Sequence, residues 1–170
     1  VIAGELAGLV PPSPPPHSWA SRPDADVALW HVVLEPGATW TMPAASGDDT
    51  VRVLYVFDGD GVDVRNSLGE GETVSGTSGA VVDAHQVVTL TATGHVELLV
   101  MQGRPIGEPV AQEGPFVMNT RAEIAEAFSD YRRTQFGGWP WDRSDPTHGA
   151  TAGRFARHAD GRVEHASVPV

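Results

Sequence analysis

Apolar residues fall in short runs along the first part of the chain, and Gly, Pro and Asp punctuate them. The strongest run is Val27-Ala28-Leu29-Trp30-His31-Val32-Val33-Leu34. Its apolar residues occupy both faces of an extended chain, the pattern of a strand covered on both sides. Glu35-Pro36-Gly37 turns the chain into a second short strand, Ala38 to Met42, which carries Trp40. After a small polar loop over 44–50, Val51, Val53, Tyr55 and Phe57 alternate with Arg52, Leu54 and Val56, which puts four large apolar side chains on one face. Asp58-Gly59-Asp60-Gly61 has the composition of a hairpin turn and leads into Val62-Asp63-Val64. Further strands are expected around Glu72 to Val74, from Val81 to Leu90 and from His95 to Met101. Val1 to Leu9 reads as a weakly patterned edge strand. Pro11-Pro12-Ser13-Pro14-Pro15-Pro16 favours an extended polyproline stretch. No basic residue flanks that stretch closely, so it reads as a stiff surface loop and not as a ligand for an aromatic groove. Short strands at this spacing predict a sandwich or barrel and argue against alternating α/β.

The periodicity changes after residue 119. Thr120-Arg121-Ala122-Glu123 is a capping box, and Ile124, Ala127, Phe128 and Tyr131 follow as one apolar stripe of a helix. Arg132 and Arg133 fall in the last turn, where cations complement the helix dipole, and Gly137-Gly138 is the expected stop. Beyond Trp139-Pro140-Trp141 the chain is a polar tail, charged from Arg154 to His165, with the two Trp rings as its expected anchor. The expected domains are a β-barrel over 1–118, a helix packed on it over 119–138 and the tail over 139–170.

Composition narrows the function classes. With 22 acidic residues against 11 arginines and no lysine, the net charge is -11, so direct nucleic-acid binding is disfavoured. The absence of cysteine excludes disulfides and thiolate metal sites. No apolar run approaches the ~20 residues of a membrane span. The chain opens at Val1 without a basic and apolar leader, and the expected compartment is the cytoplasm. There is no Gly-x-Ser-x-Gly elbow, P-loop or dinucleotide fingerprint. Asp58, Asp60 and Asp63 lack the spacing of a calcium loop and read as turn carboxylates.

Between strands and helix lies Gly103-Arg104-Pro105-Ile106-Gly107-Glu108-Pro109-Val110, followed by Gly114-Pro115-Phe116-Val117-Met118-Asn119-Thr120. With Leu34-Glu35-Pro36-Gly37-Ala38-Thr39-Trp40 and Val53-Leu54-Tyr55-Val56-Phe57-Asp58-Gly59, this run resembles the second, C-terminal cupin domain of the pirins. The resemblance implies an all-β cupin jelly roll and a parent of two cupin barrels. It implies that iron or another divalent metal sits in the first barrel, held by three His and one Glu. It also implies two activities in the family: quercetin 2,3-dioxygenase in some bacterial members, and metal-dependent co-regulation of transcription in a nuclear one.

The residues themselves speak against chemistry in this half. Counting from Gly37, the positions of a paired-His motif fall near Pro43 and Ala45; counting from Gly59, the Glu position falls at or near Arg52; a later His position falls near His85. The seven His (17, 31, 85, 95, 148, 158, 165) include no His-x-His pair. His31 reads as a hydrogen-bonded core residue, and His85, His148, His158 and His165 as solvated. No catalytic, cofactor-binding or metal residue is therefore expected in this chain. The expected role is a metal-free second half, structural and regulatory, whose partner is the first cupin domain or another protein. The alternatives are a share in a quercetin 2,3-dioxygenase-like oxygenase through cleft residues, and a small-ligand cupin with a pocket lined by Trp30, Trp40 and Tyr55.

Overall fold

A computed structural model describes residues 1–144, 155–158 and 160–165. The chain divides into two compact units, Val1–Gly107 and Glu108–Val170.

The first unit is built from two four-stranded sheets, each antiparallel throughout. One sheet has the order β1 (Ala28–Leu34), β8 (Val96–Gly103), β3 (Val51–Gly59), β6 (Ser78–Val82). The other has the order β2 (Thr39–Met42), β7 (Val88–Ala92), β4 (Gly61–Asn66), β5 (Gly71–Ser75). Consecutive strands therefore alternate between the sheets, except that β4 and β5 pair with each other. The turn at Asp60 does not close a hairpin, as its composition suggests, because β3 and β4 belong to different sheets. The expected strand from Val81 to Leu90 is likewise two strands, divided at Asp83, whose carboxylate accepts from the backbone N–H of His85 and the side chain of Gln86. Val1 to Leu9 forms no strand; Ala3 makes one isolated bridge to Leu29, and Leu6 another to Leu9.

Alternation along each strand decides what faces inward. Trp30 and Leu34 of β1, Leu54 and Val56 of β3, Val62 of β4, Leu90 of β7 and Val96, Leu98 and Val100 of β8 form one buried cluster with Met42. Burying a Leu or Val side chain contributes about 1.5–3 kcal/mol. The Val51-Val53-Tyr55-Phe57 row lies on the opposite face and is exposed or half-buried, so the apolar side of β3 is its outer side. β1 is also bare on one side: His31 and Val33 are exposed. It is not the doubly covered strand that its composition predicts.

In the second unit, β9 (Ala111–Glu113) pairs with β10 (Phe116–Met118), and α1 (Arg121–Thr134) follows. The capping box is present: Thr120 Oγ1 accepts from the Glu123 N–H, and the Glu123 carboxylate accepts from the Thr120 N–H at 2.7 Å. Ile124 and Ala127 are buried, and Phe116 meets Phe128 edge-to-face at 4.7 Å between centroids. The helix stops sooner than Gly137-Gly138 suggests, because Gln135 already takes a left-handed conformation (φ 51°). In the tail, Trp139 and Trp141 meet each other at 4.7 Å, and Phe155–Arg157 pairs with Val163–His165 as β11 and β12. No helix among the described residues is long and apolar enough to cross a membrane.

Candidate functional site

A cupin site would stand between the sheets, and the relevant positions do converge there. Pro43 and Ala45 follow β2; Arg52 points inward from β3; Ala84 lies in the β6–β7 turn and accepts from the Ala45 N–H at 2.7 Å. The residues present do not fit a metal. Pro43 and Ala45 bring no donor side chain. His85 is exposed, with its backbone N–H on Asp83 Oδ1 at 2.9 Å. Arg52 is 1% exposed and places a cation in the interior.

That guanidinium is held on several sides. Nε and Nη2 both donate to Gln102 Oε1, the former at 2.8 Å, and Nη1 donates to the Pro43 carbonyl at 2.8 Å. The Trp30 ring lies 6.0 Å away, close enough for a cation–π contact. Gln102 is fixed in turn by donating to the Asp26 carbonyl at 3.2 Å. Asp26 has its carboxylate tied down by Thr50 Oγ1 at 2.6 Å and the Gly47 N–H at 3.0 Å. Burial pulls the Arg52 guanidinium below its ordinary value, and the Asp26 charge opposes that pull. Arg52 thus puts a buried, hydrogen-bonded cation between the sheets, at the position where the motif spacing would put a carboxylate.

A different set of donors meets on the outer face of the first sheet. Ligand atoms of Asp58 at the end of β3 and of His95 and Glu97 at the start of β8 lie within 4.8 Å of one another. Glu97 Oε2 is 2.7 Å from His31 Nε2, and Glu97 Oε1 is 3.9 Å from His95 Nε2. His95 Nδ1 faces Glu35 Oε2 at 3.6 Å. Sequence reasoning read Asp58 as a turn carboxylate and His31 as a core residue. It missed this group because no local spacing announces it; strand pairing alone brings its members together. Asp60 and Asp63 are not part of it, and Asp63 accepts from Thr73 across the β4–β5 pair.

Several residues of the signature run hold the fold together. The Arg104 N–H donates to the Ala25 carbonyl at 2.7 Å, and its carbonyl accepts from Trp19 Nε1 at 2.9 Å. The Arg104 side chain pairs with Asp24 and lies over Trp19, whose ring also carries Arg22 at 4.7 Å. The hydrogen bond from Arg22, with Arg104 nearby, holds the Asp24 carboxyl below the usual range. Further on, Glu108 accepts from Asn119 Nδ2 at 2.7 Å, Gly114 takes φ 55° in the turn between β9 and β10, and Thr120 caps α1. Gly103 and Pro105 flank Arg104; Pro109 leads into β9; Pro115 precedes Phe116, Val117 and Met118 of β10. The pocket suggested by Trp30, Trp40 and Tyr55 does not form. The two Trp rings meet edge-to-face at 6.3 Å, and Tyr55 points outward. A cavity of about 170 Å³ opens elsewhere, beside Val64, Val74, Val82 and Gln86. Of the remaining His, His158 stands 3.4 Å from Glu164, His165 tilts against Phe155, and His148 falls outside the described residues.

Comparison with known proteins agrees with this architecture. The family model of the pirin C-terminal cupin domain matches residues 29–137. A pirin-like protein of Caulobacter vibrioides is 36% identical over 111 residues, covering 65% of this chain and 37% of that protein. Pirin-1 of Arabidopsis thaliana is 37% identical over 150 residues, covering 81% of this chain and 45% of the relative. A solved structure of quercetin 2,3-dioxygenase from Acinetobacter baumannii superposes with a TM-score of 0.63 at 29% identity, covering 81% of this chain and 43% of that one. The chain thus spans less than half the length of each of these proteins. The two facing sheets, the signature connector and the capped helix all lie within the matched residues, and the chain belongs to the pirin family as its C-terminal cupin domain.

Proposed function

We propose that this chain is a supporting cupin half with a metal-free interior, and that it acts by packing on a first, metal-bearing cupin half. The observation that carries this reading is the burial of Arg52. A buried guanidinium satisfied by Gln102 and Pro43 stands where the motif spacing would put a carboxylate ligand, and this supports the reading. An arginine bears a permanent charge, so it repels a divalent cation at any ordinary pH. The bare outer row of Val51, Val53, Tyr55 and Phe57 on β3, continued by Leu99 and Met101 of β8, supplies an apolar face for the partner. The expected occupant is the cupin half that the family resemblance implies for the remaining length of the relatives.

A second reading, that the assembled pair cleaves quercetin, is supported by the likeness to the Acinetobacter baumannii enzyme. One assay separates the two. Oxygen uptake with quercetin is followed for this chain alone with ferrous iron, then with the portion of the Caulobacter vibrioides relative that this chain does not match. The supporting role predicts that the chain alone never exceeds the free-iron blank. Turnover by the chain alone defeats it. A rate that rises only when both halves are present favours the second reading.

A further inference from the structure

The outer donor cluster owes its existence to one extra residue. Along β3 the register to β8 runs Val53↔Met101, Leu54↔Val100, Tyr55↔Leu99, Val56↔Leu98, and then jumps to Asp58↔Glu97. Phe57 is the inserted residue of a β-bulge. In an unbroken strand Asp58 would share the inward face with Leu54 and Val56. The bulge turns it outward, so that Phe57 and Asp58 are both exposed. Asp58 then stands directly opposite Glu97 on the neighbouring strand. Two like charges facing each other across a ladder are destabilising unless a cation lies between them.

The groups around that carboxylate pair are the imidazoles of His31 and His95, and His95 has a carboxylate, Glu35, on its far side. His31 occupies Glu97 Oε2 at 2.7 Å and leaves Oε1 turned toward His95 Nε2. Glu35 lies on the far side of the His95 ring, 3.6 Å from Nδ1, and favours the tautomer whose proton sits there. The Nε2 lone pair then faces Glu97. A carboxylate behind a histidine and a donor behind a carboxylate are what outer-shell partners of metal ligands look like.

We propose that Asp58, His95 and Glu97 form a binding site for a divalent ion of the zinc class, with Glu35 and His31 as positioning residues. One neutral imidazole and two carboxylates neutralise the ion's charge and leave at least one position for water. Zinc–nitrogen and zinc–oxygen bonds of about 2.0–2.2 Å place neighbouring donors roughly 3–3.5 Å apart. From a spread of 4.8 Å the shell closes by small rotations of partly exposed side chains. Imidazole selects zinc, nickel, cobalt or iron over magnesium and calcium. Calcium also wants six to eight oxygen ligands, more than these carboxylates supply. The site shares no residue with the Arg52 interior, so ion binding by the isolated chain tests it without testing the supporting role.

The test is a calorimetric titration of the whole 170-residue chain with zinc, repeated with cobalt while visible absorption reports the ligand field. One ion should bind per chain. His95→Ala and Asp58→Asn should each weaken binding by about 10-fold or more, and Glu35→Gln by about 10-fold through the outer shell. The double variant His158→Ala/His165→Ala and the interior variant Arg52→Met should leave the affinity unchanged. Should His95→Ala fail to fold, the imidazole resonances of the unaltered protein decide: those of His95 must shift on adding zinc. Binding that persists in folded His95→Ala overturns the proposal. So does calcium competing as well as zinc, the mark of a plain acidic patch, and so does binding lost with His158 and His165 instead.

Discussion

Arg52 and Gln102 behave as one unit, and their substitution should be non-additive. Gln102 Oε1 takes two of the guanidinium's donors. Gln102→Leu leaves a buried cation short of both, and leaving buried donors of a charged group unsatisfied costs about 3 kcal/mol. Arg52→Met removes the charge with its desolvation cost and leaves only neutral acceptors unpaired, about 1–3 kcal/mol. The double variant Arg52→Met/Gln102→Leu should therefore be more stable than Gln102→Leu alone, with a coupling energy of at least 1 kcal/mol on the scale of contacting residues. Denaturant unfolding of the four proteins measures it. Simple additivity would mean that the guanidinium is not held by this pair. A core leucine gives the contrast. Leu98 is fully buried among apolar neighbours, and Leu98→Ala should cost about 2–5 kcal/mol with no such rescue.

At the level of strands and helices, Gly59 is the position to test. Its φ of 93° belongs to glycine, and a Cβ there would lie 2.0 Å from the His95 carbonyl oxygen. Gly59→Ala should unsettle the junction of β3 with the start of β8, lower the melting temperature, and displace His95 from Asp58. Loss of zinc binding should accompany the loss of stability; a variant as stable as the parent would show the junction to be plastic. Thr120→Ala removes one capping hydrogen bond and should cost about 1 kcal/mol, read as faster amide exchange in α1. The helix cap was legible in the sequence because its residues are neighbours and the motif has a fixed spacing. So was the family signature, a contiguous run. The inward side of β3 was not legible. Period-two alternation defines two faces without saying which is the core, and here the face with four large apolar residues, Val51, Val53, Tyr55 and Phe57, is the outer one while the face that carries Arg52 is buried. The Asp58–His95–Glu97 group was hidden for a related reason: it needs a bulge, a cross-strand pair and the strand start beside it, none of which leaves a mark in local spacing.

At the level of the whole chain the composition is strongly acidic, and the proposed docking rests on the contrast between that charge and the apolar outer row of β3 and β8. A net charge of -11 opposes association between copies of the chain, so the apolar face is better matched to a different partner than to itself. Tyr55, 39% exposed at the middle of β3, is placed to anchor a partner: aromatic side chains near the centre of an interface carry much of its energy. Tyr55→Asp should cost folding only about 1 kcal/mol, the span of strand propensity, because its side chain faces away from the core. It should nevertheless weaken association with a separately expressed first half by more than about 10-fold, since a carboxylate would have to be buried unpaired against apolar surface. Sedimentation of the mixed halves, alongside thermal melts of the single chain, measures both quantities. Raised salt discriminates further. An interface made by this face should survive 0.5 M NaCl, where the screening length falls to roughly 4 Å, whereas one made by the acidic periphery should not. Retention of full affinity by Tyr55→Asp, or its loss in salt alone, would move the partner to another surface and leave the bare face of β3 without a role.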